Sequence, residues 1–319
     1  MEESARKMRG RLHIVLRFGT IETQRASALI TSANDSLVGN LQPDYWRFSG
    51  LSNADGALRR RAGPELAASC LAIKPLPDRS VRRDLVRWTG AVKRDESAPV
   101  RCPTGHAVAT PAFALEADHV VHAVAPDIEP IFGRYRGPQH ESDDRSRHPE
   151  ELLRDAYTSA FAVASSLGAS SVACPALGCG VKGWKAPVSA AFGLDAAARL
   201  SSGDHSVSKV AFVLADRVAW DGWVRVACAL LGRPAGVGDE RALSDAERGG
   251  ELRWSISTQE LERAQRGGEK AGDLLELGAV PELHEPRMLW ATPEAGLEQF
   301  GNWRWQPHST QPGGGGRTV

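Results

Sequence analysis

The sequence lacks an excess of charge of either sign. Its 319 residues include 39 lysines and arginines and 39 aspartates and glutamates, so the formal net charge is zero. Proteins that bind nucleic acid or anionic membrane surfaces through bulk charge usually carry a strong field of one sign. The composition therefore argues against nucleic acid or a membrane as the partner.

Long apolar runs and a disulfide framework are missing as well. No run is long enough to cross a bilayer, and the charged N-terminus with its short apolar run does not have the pattern of a signal peptide. The five cysteines are scattered and odd in number, which favours free thiols in a reducing compartment. Cys174 and Cys179 lack the partner ligands of a zinc site, so we expect no metal. We also expect no cofactor. We expect a cytoplasmic or nuclear protein.

The order of apolar segments predicts an α/β fold. Short runs rich in Val, Ile and Ala predict strands at 11–18, 26–34, 104–115, 118–126, 171–177 and 208–216. Helical periodicity predicts helices at 54–73, broken at Gly63-Pro64, and at 151–169, 186–202 and 218–232. Helix and strand alternate in the later half, as they do in parallel sheets covered by helices. We predict a three-layer α/β/α sandwich with a mixed, mostly parallel sheet.

The composition changes after Gly232. Residues 234–319 are rich in glycine and charge and end in HSTQPGGGGRTV, which is typical of chain that cannot build a core. We predict a folded domain over 1–233 and a largely disordered extension over 234–319. Disordered segments are usually poor in tryptophan, which favours docking of part of the extension on the domain or on a protein partner. The alternative is a loosely ordered tail without a specific role. Its tryptophans are Trp254, Trp290, Trp303 and Trp305.

Three polar segments follow predicted strands, where ligands of such sheets bind. They are TSAN (31–34), NADG (53–56) and ALGCGVKGW (176–184). The third has the composition of an anion-binding loop, because glycines expose backbone amides and a helix begins near Pro187. It lacks the Lys-Ser/Thr of a Walker loop and the GxGxxG spacing. Each segment alone also fits a structural role, as a turn, a helix cap or a tightly packed corner.

In combination, these segments resemble the macrodomain family, whose members bind ADP-ribose. The resemblance spans about residues 12–232. It rests on ITSAN (30–34), ADGALRRRAG (54–63), RCPTGHAV (101–108), VVHAVAP (120–126) and PALGCGVKGW (175–184). It implies that the partner is ADP-ribose or an ADP-ribosylated protein.

The resemblance implies roles for individual residues. Asn34 matches the family asparagine at the distal ribose, and Asp55 matches the aspartate that positions or activates a water in hydrolytic members. His122 matches a strand histidine, which we interpret as a core residue. The implied ligand-binding set is Thr31, Asn34, Asp55, Gly178, Cys179, Gly180, Val181, Lys182, Gly183 and Trp184.

The sequence departs from the family pattern at several positions. Thr31 replaces the first asparagine of the strand motif, and the glycine run before Asp55 is reduced to SGLSN. Lys182 stands where an aromatic residue often stacks on the ribose, although Trp184 is close by, and a lysine beside a diphosphate is electrostatically favourable. Thr20 replaces the acidic residue that recognises the adenine amino group, which implies weak discrimination between bases.

Two functions follow from the resemblance. The first is hydrolysis of mono-ADP-ribosyl linkages, in protein or O-acyl ADP-ribose, with Asn34 orienting the ribose and Asp55 positioning the attacking water. The second is a non-catalytic ADP-ribose reader, which Thr31, Lys182 and the depleted glycine run favour. Arginines at 79–87 and 134–147 leave RNA binding as a third interpretation, which the zero net charge weakens.

Overall fold

A seven-stranded mixed sheet forms the centre of the protein. The computed structural model describes residues 11–39, 54–77, 80–81, 98–126, 149–180, 182–200, 205–236 and 250–257. The strands are β1 (Arg11–Phe18), β2 (Ala28–Ser32), β3 (Ser80–Val81), β4 (Ala98–Pro99), β5 (Ala107–Pro111), β6 (His119–Ala123), β7 (Ser171–Pro175), β8 (Lys209–Leu214) and β9 (Glu251–Ser257). The helices are α1 (Ala54–Ala62), α2 (Pro64–Ala72), α3 (Pro149–Ser166), α4 (Ala186–Leu200) and α5 (Arg217–Leu231).

The strand order is β5-β6-β2-β7-β8-β1-β9, and β3 and β4 form a separate two-stranded sheet. The five inner strands of the large sheet are parallel, whereas β5 and β9 run antiparallel at its two edges. The C-terminal ends of β6, β2 and β7 therefore lie side by side. The predicted mixed, mostly parallel sheet is confirmed.

Helices cover both faces of this sheet. On one face α3, α4 and α5 pack on a core that includes Ile14, Ile30 and Phe212. On the other face Leu58 of α1 and Leu66 of α2 pack with strand residues of β2, β6, β7 and β8. These contacts confirm the predicted three layers. None of the described helices is long and apolar enough to cross a membrane.

The helix predicted over 54–73 is broken where the sequence indicated. Gly63 has a φ of +92°, which an L side chain rarely adopts, and Pro64 opens the next helix. Several strands are shorter than predicted, because apolar residues continue into the turns that follow. Phe113, for example, lies in the turn after β5 with a φ of +55° and is exposed.

The boundary predicted at residue 233 is wrong for residues 251–257. These residues form β9, which pairs with β1 from Arg11 opposite Ser257 to Arg17 opposite Glu251. Trp254 is buried, and its Nε1–H donates to the carbonyl of Gly232 over 2.9 Å. Part of the predicted extension thus docks on the domain. Residues 258–319, with the other three tryptophans, lie outside the described residues.

We predict that Trp254→Ala lowers the free energy of unfolding by about 3–5 kcal/mol, because it removes a large buried side chain from the sheet edge. Ser255→Ala is the matched control, since Ser255 is exposed on the same strand and should cost little. Chemical denaturation measures both values. A loss below about 1 kcal/mol for Trp254→Ala would mean that β9 does not stabilise the domain.

Candidate functional site

The three polar segments predicted from the sequence meet at one edge of the sheet. Asn34 lies just beyond β2, Asp55 lies in the first turn of α1, and the glycine-rich segment follows β7. β2 lies between β6 and β7. This edge is where the parallel strands end, and it is the usual place for a ligand in an open α/β sheet.

The segment after β7 is anchored from below by two buried hydroxyl groups. The Tyr157 hydroxyl accepts a hydrogen bond from the Leu177 N–H over 2.8 Å, and Ser189 donates to the Leu177 carbonyl over 2.8 Å. The two hydroxyls are 2.6 Å apart. Burial raises the pKa of Tyr157 well above its ordinary value, so the phenol stays neutral. Leu177 is therefore fixed at the base of the turn.

Glycine is required in the turn above Leu177. Gly178 has a φ of +79°, and a Cβ at this position would come within 2.5 Å of Cδ1 of Trp184. The Trp184 N–H donates to the Gly178 carbonyl and the Gly183 N–H donates to the Gly180 carbonyl, both over 3.1 Å. Within the described residues, the N–H groups of Gly178 and Gly180 find no acceptor. A tight turn thus leaves two glycine amides available just before α4.

Two side chains of this turn reach across the end of β2. Lys182 Nζ donates to the Ala125 carbonyl over 2.5 Å, and Trp184 Nε1–H donates to the Pro126 carbonyl over 2.8 Å. Both acceptors follow β6, the strand on the far side of β2. Trp184 is buried, so its indole supports the turn from inside. These contacts fix the β7–α4 turn against the segment after β6.

Asp55 is a buried carboxylate with two side-chain partners. Its Oδ1 accepts from the Thr31 hydroxyl over 3.3 Å, and its Oδ2 accepts from Nε of Arg59 over 2.8 Å. Thr31 is 1% exposed and Asp55 is 7% exposed. A carboxylate in the first turn of a helix is also stabilised by the helix dipole. Thr31 therefore acts in the structure as a support for Asp55.

Asn34 holds the loop that follows β2. Its Nδ2 donates to the Gly39 carbonyl over 3.0 Å, and its Oδ1 accepts from the Ser36 hydroxyl over 3.2 Å. Leu37, in the same loop, has a φ of +57°. A buried leucine with positive φ indicates a backbone held by its surroundings. Asn34 thus performs the turn-forming role that its residue type favours.

Beneath Asp55 lies a buried group of neutral side chains. His122 Nε2 is 2.9 Å from the Thr110 hydroxyl and 3.5 Å from Cys70 Sγ. Burial, with a smaller contribution from Arg59, lowers the pKa of His122 to about 3, and burial raises the pKa of Cys70. The prediction that His122 is a satisfied core residue is confirmed. In the turn after β7, burial likewise raises the pKa of Cys179 to about 12, so that thiol is neutral.

Thr20 lies at the same edge, just after β1, which is three strands away from β2 in the sheet. Its carbonyl accepts from Nε2 of Gln24 over 2.9 Å, and Oε1 of Gln24 accepts from Nη1 of Arg17 over 2.6 Å. Arg17 also pairs with Glu251 of β9 over 2.6 Å. β9 is therefore linked to the turn that carries Thr20.

The structure places most of the predicted site residues at one edge of the sheet and adds residues that were missed. Val181 lies outside the described residues. Arg59 and Tyr157 were not predicted. The spacing of four between Asp55 and Arg59 was a signal for an ion pair on one helix face, whereas nothing in the sequence links Tyr157 to Leu177. Among the described residues, no group of His, Cys, Asp or Glu side chains is arranged to hold a metal.

We predict that Tyr157→Phe lowers the free energy of unfolding by about 1–3 kcal/mol, because the buried Leu177 N–H loses its acceptor. Thr158→Ala is the matched control, since Thr158 is exposed and bonds only to the backbone of its own helix. Urea denaturation of both variants gives the comparison. Equal effects would show that the Tyr157 hydroxyl does not hold the turn.

We predict that His122 makes stability depend on pH below its ordinary pKa of 6.5. The unfolded chain takes up a proton as the pH falls through 6.5, whereas the buried side chain does not until about pH 3. The free energy of unfolding should therefore fall between pH 6.5 and 5, by at most about 1.4 kcal/mol per pH unit from this residue. His122→Gln should show a shallower fall in parallel denaturation curves. Identical slopes would contradict the assignment.

Comparison with known proteins identifies relatives of this chain. The Macro domain family model matches residues 31–192, just over half of the chain. The chain is 32% identical over 212 residues to a macro domain-containing protein of Streptomyces nogalater, covering 66% of this chain and 90% of the relative. It is 29% identical over 209 residues to an O-acetyl-ADP-ribose deacetylase of Citrobacter rodentium, with the same coverage.

Solved structures include a similar chain from Oceanobacillus iheyensis, a macrodomain with MES bound. It is 22% identical, with a TM-score of 0.47, and the match covers 69% of this chain and 97% of that one. The family model covers just over half of the chain, and the match to the Streptomyces nogalater protein covers 90% of that relative. These two findings establish the family. The chain belongs to the macrodomain family.

Proposed function

We propose that this protein binds ADP-ribose and hydrolyses the bond between the ADP-ribosyl group and an attached acyl group or protein side chain. The observation that carries the proposal is the placement, at one sheet edge, of the buried carboxylate of Asp55 and of the Gly178 and Gly180 amides, which have no acceptor among the described residues. The similarity to a protein named O-acetyl-ADP-ribose deacetylase supports it.

The diphosphate would bind at the turn between β7 and α4. The amides of Gly178 and Gly180 have no internal acceptor among the described residues, and α4 begins a few residues later. Backbone amides and the positive end of a helix dipole both stabilise an anion. The side chain of Cys179 is buried, so the turn would bind the anion through its backbone.

Asp55 and Asn34 would act at the distal ribose. Asp55 would accept a hydrogen bond from a water and align its oxygen with the carbon of the bond to be cleaved. The water oxygen bonds to that carbon as the bond from the carbon to the leaving oxygen breaks. One water proton stays on the new hydroxyl group and the other passes to the leaving oxygen, directly or through solvent, giving ADP-ribose and the free acid or side chain. Such proton transfer contributes roughly two to four powers of ten in rate, and the alignment contributes further.

A non-catalytic reader is the second candidate, and one feature of Asp55 favours it. Both carboxylate oxygens already have side-chain partners, Thr31 and Arg59, and the residue is 7% exposed. A carboxylate held in this way has fewer lone pairs left to direct a water. The two candidates share the diphosphate site and differ only in turnover.

We predict that Asp55→Asn lowers turnover of O-acetyl-ADP-ribose or of a mono-ADP-ribosylated protein by about 100-fold or more, because the amide cannot replace the carboxylate as a proton acceptor. Affinity for ADP-ribose should change little, since asparagine keeps the shape of the residue. Release of free ADP-ribose measures turnover, and calorimetry measures affinity.

Asp118→Asn is the matched control, because Asp118 is exposed at the opposite end of β6. It should leave both quantities unchanged. Equal turnover in wild type and Asp55→Asn would remove Asp55 from the mechanism. Tight binding by wild type without turnover of either substrate would select the reader, and absence of binding would overturn both candidates.

A further inference from the structure

We propose that Arg59 is a positioning residue that holds the Asp55 carboxylate in a fixed place relative to the loop carrying Asn34. The effect of Arg59 on the reaction rate rests on the proposed hydrolysis. The structural coupling of Asp55 to Asn34 does not. Arg59, Arg60 and Arg61 are consecutive residues of α1. The side chain of Arg59 is turned inward, whereas that of Arg61 is exposed.

The guanidinium of Arg59 joins two different elements. Its Nε donates to Oδ2 of Asp55 over 2.8 Å, within α1. Its Nη2 donates to the carbonyl of Leu37 over 3.0 Å, in the loop after β2. The rigid fork of a guanidinium fixes the direction of both bonds at once. The position of Asp55 is therefore set by the loop as well as by its own helix.

The same loop is shaped around Arg59. A Cβ on Gly39 would come within 2.4 Å of Nε of Arg59, and Gly39 has a φ of +71°. The Gly39 carbonyl accepts the hydrogen bond from Nδ2 of Asn34. A continuous chain of contacts thus runs from Asp55 through Arg59 and Gly39 to Asn34. Movement of the guanidinium would shift both candidate ribose contacts.

Arg59 supplies the positive charge that Asp55 faces. Among the described residues, the groups around the pair include the Thr31 hydroxyl, the Cys70 thiol and the His122 ring, and the Arg101 guanidinium is close enough to act on Cys70. Burial keeps the thiol and the ring neutral near pH 7, because it raises the pKa of Cys70 and lowers that of His122 to about 3. Loss of the guanidinium would leave a buried carboxylate without its counter-charge, which is costly, so the Asp55 side chain would leave its present position.

The test compares Arg59→Gln, Arg59→Lys and wild type, with Arg60→Gln as control because Arg60 is exposed on the same helix. Carbon-13 NMR at a fixed pH follows the chemical shift of the Asp55 carboxyl carbon, and the side-chain amide signal of Asn34 reports on the loop. We expect Arg59→Gln to shift both signals. Arg59→Lys should shift the Asp55 signal less, because it retains the charge, yet still shift the Asn34 signal, because one ammonium group cannot replace the fork.

Turnover gives the second measurement. We expect Arg59→Gln to lower kcat by about 10- to 100-fold with KM changed less than about threefold, since misplaced groups cost rate rather than binding. Arg60→Gln should match wild type in every measurement.

The outcomes separate this inference from the proposed function. An Arg59→Gln variant that remains folded, as circular dichroism can establish, with unchanged Asp55 and Asn34 signals would overturn the inference. So would equal losses of kcat and ADP-ribose affinity, which a purely structural role predicts. If wild type shows no turnover but the NMR changes appear, the proposed hydrolysis fails and the coupling stands.

Discussion

The parallel pairing of β2 with both β6 and β7 is the constraint on which the site depends. It brings the segments after all three strands to one edge. It also sets which way each side chain of β2 points, because residues alternate between faces. Ile30 enters the core beneath α3 and α4, and Thr31 points to the opposite face, where α1 presents Asp55. A register shift of one residue would bury Thr31 on the wrong side and leave Asp55 without this partner.

Several buried polar groups beside this edge are fixed by specific partners, although Nη1 of Arg59 has no hydrogen-bond partner among the described residues. Asp55 and Arg59 neutralise each other within one helix. The N–H and the carbonyl of Leu177 bond to the hydroxyl groups of Tyr157 and Ser189, which lie on two other helices. Buried polar groups are tolerated only when satisfied in this way, so each also limits movement of its segment. The result is a site whose turn and carboxylate are positioned before any ligand arrives, which lowers the entropy cost of binding.

Much of this arrangement could be predicted from sequence, because it depends on local patterns. Strand-like runs, the Gly63-Pro64 break and the glycine-rich turn after β7 are local features. Most of the missed features depend on distant partners. The β9 strand pairs with the N-terminal strand, and its short alternation of apolar and polar residues lies in a Gly-rich and charged region. Arg59 belongs to a run of three arginines that resembles a solvated helix face, and only its distance of four residues from Asp55 distinguishes it.

The central claim is that the turn between β7 and α4 binds a diphosphate through backbone amides. Nitrogen-15 NMR during titration with ADP-ribose tests it most directly. The account predicts that the amide protons of Gly178 and Gly180 move downfield and show the largest shifts, and that ADP gives similar shifts at these two positions while ribose alone gives none. Binding of ADP-ribose with both glycine amide signals unmoved would contradict the account.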